Sequence, residues 1–427
     1  LVTVCALYLA QGIPWGFLAI TLTAWLAEQG KTPTDIARIA TLGALPWAFK
    51  WAWGPLIDAF GIPSMGRRRP WILLAQALMA VTILAMVAIP DLSEQITLVA
   101  WMVFLHNIFN ALQDVAVDAL AVDLLPEDER GRANGMMYAS KYLGGAIGGA
   151  GMATVMGFAG LRAALLVQVS ILGAIFLLPL FLLERPGDRF VPWRPAAHPQ
   201  PPQAPRPSIL GLFADLFRAF TVRSTVVGAF LAMTINVGTI VLSVVGVVFI
   251  IQELGWSDTE YSQISGGPGL IAGAGGAVLG GFLADKVGLR RMIAVSGWLL
   301  AATWVLFALS PDQWSSRAFV VGIILAESAC SGVMAAGLFA LFMGISWPRV
   351  AATQFTAYMA MLNFSRVIGS NTAAALDPLM SVPTIYLYCA GLTALTLFLL
   401  PWIDPVAARR AFADYASRSA PASPDPG

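Results

Sequence analysis

The chain has 427 residues, of which 58% are hydrophobic and only 11% are charged. Its mean hydropathy of +0.75 excludes a soluble globular domain, because a domain of this size needs a far more polar surface. The formal net charge of +1 says nothing about a partner, and we expect no nucleic-acid partner. This composition predicts an all-α protein that crosses a lipid bilayer many times.

Twelve apolar stretches are each long enough to cross a bilayer, which takes about 20 residues as a helix. The first stretch carries no charge and lacks a basic leader, so we interpret it as a true span rather than a signal peptide. The predicted spans are residues 3–27, 36–58, 70–89, 96–122, 132–157, 162–183, 224–251, 261–284, 291–309, 317–343, 352–375 and 384–402.

The longest break between spans is a proline-rich, basic segment. Residues 184–223 include RPGDRFVPWRPAAHPQPPQAPRP, which has little capacity for a packed core. Lys and Arg are concentrated on the side of this linker and the tail, so we expect both termini to face the cytoplasm. The predicted domains are a six-helix bundle at 1–183, a linker at 184–223, a second six-helix bundle at 224–402 and a cytoplasmic tail at 403–427.

The two bundles share sequence patterns, which predict an internal repeat. GPLIDAFGIPSMGRRRPW at the end of the second span corresponds to GGFLADKVGLRRM at the end of the eighth. SKYLGG in the fifth span likewise corresponds to SRVIGS in the eleventh. Two six-helix pseudo-repeats that meet at a central cavity are the architecture of many secondary transporters.

A stripe of polar side chains lies on the fourth predicted span. The stripe begins at His106 or Asn107 and continues through Asn110, Asp114 and Asp118 at helical spacing, so these residues share one face. Such a face must point to the bundle interior or to a water-filled cavity, either as a functional site or as a structural polar seam. Counted from the turn between the fourth and fifth spans, Asp114 and Lys141 both lie roughly 16 Å into the membrane, which predicts an ion pair.

Further charges inside the spans extend this pattern. Lys50 lies closest in depth to Asp118, and Glu327 and Arg366 repeat the acid–base arrangement in the second bundle. A carboxylate buried beside a cation can exchange its proton against substrate occupancy, although such a pair can also serve helix packing alone. The predicted proton-coupling network comprises Asp114, Asp118, Lys141, Lys50, Glu327, Arg366 and His106.

Polar and aromatic residues elsewhere in the spans are candidates for substrate contact. Aromatic faces suit sugar rings, although many tryptophans of a membrane protein belong to its interfacial belt. The predicted substrate-binding residues are Gln11, Trp15, Asn110, Gln113, Asn236 and Asn363.

The paired motifs, the twelve spans and the long central segment resemble the major facilitator superfamily. Within it, QGIPWGFLAITLTAWL, FKWAWGPLID, GRRRPW, QDVAVDA, LLPEDERG and SKYLGGAIGG resemble the AmpG-type muropeptide permeases and the related acetyl-CoA transporters. The resemblance implies alternating access between two rocking halves. It also implies a cytoplasmic gate formed by Asp58, Arg67, Arg68, Asp285, Arg290 and Arg291. The alternative is that the arginines only anchor the loops on the cytoplasmic side, which does not explain the matched Gly–Leu–Asp spacing.

The sequence gives little support for nucleotide binding, a disulfide framework or a metal site. GPGLIA in the eighth span matches a dinucleotide-binding pattern formally, but it continues an apolar run and no strand precedes it. The three cysteines are too scattered for a disulfide framework or a metal site. We therefore expect that the protein is not an enzyme and binds no metal or cofactor. We expect its transport to be driven by a proton gradient.

Residues and resemblance together predict a proton-coupled secondary transporter of the bacterial inner membrane. The expected activity is uptake of an anhydro-muropeptide or related amino-sugar conjugate by alternating access, and the expected partners are this solute, protons and the bilayer. We expect a monomer. The alternatives are an exporter or exchanger of another organic anion or acyl-CoA-like solute, and a non-transporting sensor on the same fold.

Overall fold

The computed structural model describes residues 1–60, 62, 64–124, 127–181, 183–184, 188–190 and 209–418. These residues are almost entirely helical, with one isolated bridge between Ile62 and Gly66. In this part of the chain, nine helical stretches are long and apolar enough to cross a membrane, judged by length and composition. One of them, Gly135–Phe181, holds two spans, because Gly160 breaks the helix with φ 80° and ψ 171°.

Six membrane helices form the first half. Helix α2 is interrupted just after Pro46, which cannot donate a backbone hydrogen bond, and Phe49 leaves the helical conformation. The helices are α1 (Val2–Glu28), α2 (Pro33–Ala48, then Lys50–Ala52 and Trp53–Ala59), α3 (Arg69–Val87), α4 (Ile96–Leu124), α5 (from Glu127 to the break at Gly160) and α6 (from that break to Phe181).

Six more membrane helices form the second half. They are α7 (Arg223–Gln252), α8 (Asp258–Ile264, Ser265–Gly269 and Leu270–Val287), α9 (Leu289–Ala308), α10 (Arg317–Gly344), α11 (Ala351–Leu376) and α12 (Val382–Leu397). Each predicted span coincides with one of these twelve helices. The prediction of an all-α membrane protein with twelve transmembrane helices is confirmed.

Two amphipathic helices lie outside the membrane helices. The linker helix, Ile209–Ala219, falls in the segment that the sequence suggested had little capacity for packing, yet Ala219 is fully buried. Its Asp215 carboxylate lies 2.9 Å from Nε of Arg349, in the loop between α10 and α11. The tail helix, Pro405–Arg418, packs Phe412 against the ring of Trp347 at 5.6 Å in the same loop.

The two halves meet along the pairs α1–α7, α2–α11 and α5–α8. Where α1, α5 and α8 approach each other, each contains a π-helical segment: Phe17–Thr21, Ile147–Gly151 and Ser265–Gly269. A π segment widens the helix and leaves carbonyl groups to be paired elsewhere. The Thr21 hydroxyl donates to the carbonyl of Gly149 at 2.7 Å, which meets that need.

Hydrogen bonds hold the halves together on the side of the membrane opposite the linker, here called the distal side. The Gln252 amide, at the end of α7, donates to the carbonyls of Ala27 at 2.8 Å and Lys31 at 3.0 Å. Gln263 of α8 donates to the hydroxyl of Thr154 in α5 at 3.2 Å. The distal ends of the two halves are therefore joined.

Candidate transport cavity

A cavity of about 310 Å³ lies between the two halves. Helices α1, α2, α4 and α5 line it from one half, and α7, α10 and α11 line it from the other. Its distal end lies beneath Leu26, next to the Gln252 bonds that join the halves. A solute in this cavity would touch both halves at once, as a substrate moved by alternating access must.

Asp114 is the centre of a charge cluster beside the cavity. Its carboxylate accepts from Nζ of Lys50 at 2.9 Å through one oxygen and from Nζ of Lys141 at 3.4 Å through the other. The side chain is 4% exposed. The predicted contact between Asp114 and Lys141 is present, and two cations rather than one compensate the cost of burying this carboxylate.

Asp118 has a different partner from the one expected. The sequence placed Lys50 nearest to Asp118, but that prediction is wrong, because the interruption of α2 after Pro46 brings Lys50 to Asp114 instead. Asp118 accepts a hydrogen bond from the hydroxyl of Tyr8, a residue of α1 that sequence reasoning missed. The available signal was its position three residues before Gln11, on the same helical face.

Aromatic rings surround the two lysines. Nζ of Lys141 lies 4.9 Å from the ring centre of Trp47 and 5.6 Å from that of Tyr8. Nζ of Lys50 lies 5.9 Å from the same Trp47 ring. Ring faces attract cations within about 6 Å, so Trp47 helps to hold both charges. The side-chain carbonyl of Gln11, a predicted substrate residue, accepts a hydrogen bond from Nζ of Lys141 at 3.5 Å.

The predicted acid–base pair in the second half is absent. Arg366 lines the cavity next to Tyr142, and no carboxylate of the described chain forms an ion pair with it. Glu327 lies instead among Trp304, Tyr261 and Tyr386, within the packed second half. Pairing Glu327 with Arg366 was wrong, because equal depth does not fix the direction in which a side chain leaves its helix.

His106 lies outside the charge cluster. The residue is 2% exposed, and Nδ1 of its ring lies 2.9 Å from the Thr82 hydroxyl. That hydroxyl donates to the Met79 carbonyl at 2.7 Å, so it accepts from His106, whose proton must be on Nδ1. The structure therefore gives His106 a packing role between α3 and α4.

The predicted substrate residues divide into two groups. Trp15 and Asn363 line the cavity, as does Asn107, which was predicted for the polar stripe but not among the substrate residues. Gln11, Asn110, Gln113 and Asn236 are absent from the lining in this conformation, and their contact with substrate stays a prediction. Asn110 and Gln113 face the interior of the first half, where the Gln113 amide donates to the Leu7 carbonyl at 3.2 Å. Asn236 lies at a break in α7, between Thr234 and Val237.

The implied gate is described only in part. The side chains of Asp58 and Asp285 lie outside the described part of the structure. Nε of Arg68 lies 2.9 Å from Asp123 at the end of α4, so this arginine ties together two helices of the first half. Arg67 is at the same turn.

On the other half, Arg291 is exposed and Arg290 interacts electrostatically with Asp404. The backbone N–H groups of Val406 and Ala407 at the start of the tail helix lower the pKa of Asp404, and the charge of Arg290 lowers it further. The tail helix therefore begins beside the arginine cluster of the second motif.

Known proteins resemble this chain along most of its length. The anhydromuropeptide permease of Escherichia coli K12 is 26% identical over 406 residues, covering 92% of this chain and 77% of the permease. The transporter designated AmpG 4 of Rickettsia conorii is 25% identical, with 93% and 94% covered.

Solved structures share the fold. The crystal structure of the nucleoside transporter NupG matches with a TM-score of 0.71 at 13% identity, covering 94% of this chain and 98% of that one. A bacterial homologue of the human lysosomal transporter Spinster matches with a TM-score of 0.63 at 16% identity, covering 99% and 98%. The family model of the Major Facilitator Superfamily matches residues 4–248 and 229–424. With its twelve helices and central cavity, the chain belongs to the Major Facilitator Superfamily.

Proposed function

We propose that this chain is a proton-coupled secondary transporter of the bacterial inner membrane, which imports anhydro-muropeptides or related amino-sugar conjugates by alternating access. The observation that carries the proposal is the position of Asp114 between Lys50 and Lys141 at the cavity. Family membership supports transport, and the resemblance to the anhydromuropeptide permease supports the class of substrate. In this proposal the protein acts as a monomer, with the linker and both termini in the cytoplasm.

The charge of the cavity wall favours an anionic solute. Asp114 neutralises part of the charge of Lys50 and Lys141, whereas no described carboxylate pairs with Arg366. Guanidinium groups bind carboxylates through two parallel hydrogen bonds. Muropeptides carry carboxylates, and the rings of Trp15 and Trp47 offer faces on which a sugar can pack.

Substrate binding and proton binding are coupled through Asp114 and Lys141 in this proposal. Lys141 is held less closely than Lys50, at 3.4 Å against 2.9 Å, and 22% of its side chain is exposed. A bound carboxylate would attract Lys141 away from Asp114, and the carboxyl group would then bind a proton more readily. Substrate and proton would enter together, and release of one would favour release of the other.

A second candidate function is exchange or export of another organic anion. Arg366 and Lys141 would recognise a carboxylate whether or not a sugar carries it, and the same residue types serve symport and antiport. A non-transporting sensor is the third possibility. It would bind solute in the cavity without moving it across the bilayer.

Radiolabelled anhydro-muropeptide offered to proteoliposomes tests the proposal. An acidic exterior should drive accumulation, and Asp114→Asn should abolish this drive. Asp312→Asn, in an exposed distal loop, is the matched control and should accumulate solute normally. Counterflow of other organic anions without muropeptide uptake would favour the exchanger, and binding without any exchange would favour the sensor. Either result would contradict the proposed import.

A further inference from the structure

The cavity has two chemically different ends. Around its middle and towards the linker side lie its charged and aromatic groups, including Lys141, Arg366 and Trp47. Towards the distal side the wall is mostly aliphatic. The residues at that end are Leu22, Leu26, Ile36, Ile39, Ala40 and Val244.

Three serine and threonine hydroxyl groups line the cavity between Arg366 and the distal end, and two of them donate within their own helices. The Thr23 hydroxyl donates to the Leu18 carbonyl at 3.0 Å, and the Ser243 hydroxyl donates to the Ile240 carbonyl at 2.8 Å. The oxygens of Thr23 and Ser243 can still accept a hydrogen bond, and the Ser370 hydroxyl has no partner among the described residues. A ligand carbonyl or carboxylate placed between Leu26 and Ile39 would therefore lose its water and find few donors to replace it.

The apolar part of the cavity is also long. Counted along the helices from their distal ends, Leu26 lies about 3 Å and Arg366 about 15 Å into the membrane. The distal end is closed next to Ala27 by the hydrogen bond from Gln252. A ligand anchored at Arg366 therefore has about 12 Å of mostly apolar cavity ahead of it.

We propose that the distal end of the cavity is an apolar subsite, and that the substrate is an amphiphilic anion. Its carboxylate meets Arg366 and Lys141, and its apolar group points to the distal side between Leu26 and Ile39. The small side chain of Ala40 leaves the space that this group occupies. This inference rests on the proposed function, because it divides the same cavity, and it narrows the substrate class to anions with an N-acyl or other apolar group at one end.

A homologous series of ligands measures the subsite directly. The probes are N-acyl-glutamates with acetyl, butanoyl, hexanoyl and octanoyl groups, titrated calorimetrically into the full chain in lipid nanodiscs. Each buried methylene contributes about 0.8 kcal/mol, so affinity should rise about fourfold per methylene until the distal end is full. Empty nanodiscs correct for partition of the probes into lipid.

Two variants separate the subsite from lipid partition. Ala40→Phe should remove most of the gain with chain length, because the ring fills the distal end. Ala85→Phe, on the exposed face of α3, adds the same ring outside the cavity and should keep the gain. Arg366→Gln should lower affinity across the whole series.

Affinity independent of acyl length, or an equal gain in both phenylalanine variants, would overturn the subsite. This outcome differs from failure of the proposed import. A chain-length gain without muropeptide uptake would leave the subsite standing and reject the import, whereas uptake without the gain would reject the subsite alone.

Discussion

Gly266 provides a sensitive test of how the two halves move. This glycine of α8 faces Gly149 of α5 where their π-helical segments meet, between the two halves. A Cβ atom at position 266 would lie 2.5 Å from the backbone nitrogen of Ala150 and 3.0 Å from Cα of Gly149. Ordinary contacts are about 3.4–4 Å, so Gly266→Ala requires the helices to separate by about 1 Å.

In the proposed alternating access, this strain acts on the conformation in which the distal ends are joined. The close approach exists in that conformation, and we expect it to be lost when the distal ends part. Overpacking of this kind costs about 1–3 kcal/mol, which would shift the equilibrium towards the distal-open state by roughly 5- to 150-fold. Gly275→Ala is the matched control in the same helix, because a Cβ atom there meets nothing within 4 Å.

Thiol labelling from the distal side measures the shift. Cysteine is placed at Thr23, which lines the distal part of the cavity, after the three native cysteines are replaced. A membrane-impermeant maleimide should label this cysteine several-fold faster in Gly266→Ala than in Gly275→Ala. Equal labelling rates in the two variants would refute the reasoning that the halves separate at this contact.

Two further substitutions test other parts of the account. Tyr8→Phe removes the hydroxyl that donates to Asp118. We expect the pH profile of uptake to shift while the protein remains folded. An unchanged profile would show that this hydrogen bond has no part in proton coupling. Asp215→Asn weakens the contact of the linker helix with Arg349, whose side chain is 56% exposed. The free energy of unfolding, measured by thermal denaturation, should therefore fall by less than about 1 kcal/mol. A larger loss would show that the linker helix contributes more to stability than its contacts suggest.

Depth counting predicted one contact of the charge cluster and failed for two others. It succeeded for Asp114 and Lys141, because α4 and α5 are neighbouring helices whose charged residues lie at equal distances from one turn. It failed for Lys50, because the interruption of α2 near Pro46 displaces the residues after it. It failed for Glu327, because depth carries no information on the rotation of a helix about its axis.

The two aromatic residues of the cluster gave little signal in the sequence, and that of Tyr8 was only its spacing from Gln11. Trp47 and Tyr8 are uncharged, and tryptophan and tyrosine are common in membrane proteins for interfacial reasons. Their roles follow from the lysines and the carboxylate placed next to them by tertiary packing. The helices themselves were predictable, since a membrane span must satisfy its own backbone hydrogen bonds and this requirement leaves few alternatives.

Proton flux measured together with substrate flux tests the central claim most directly. In proteoliposomes that contain a pH-sensitive dye, addition of anhydro-muropeptide to the wild-type protein should acidify the lumen as solute enters. Asp114→Asn should still carry solute down its gradient in counterflow, without acidification. Acidification by Asp114→Asn at the wild-type ratio of protons to solute would contradict the assignment of coupling to the carboxylate between Lys50 and Lys141.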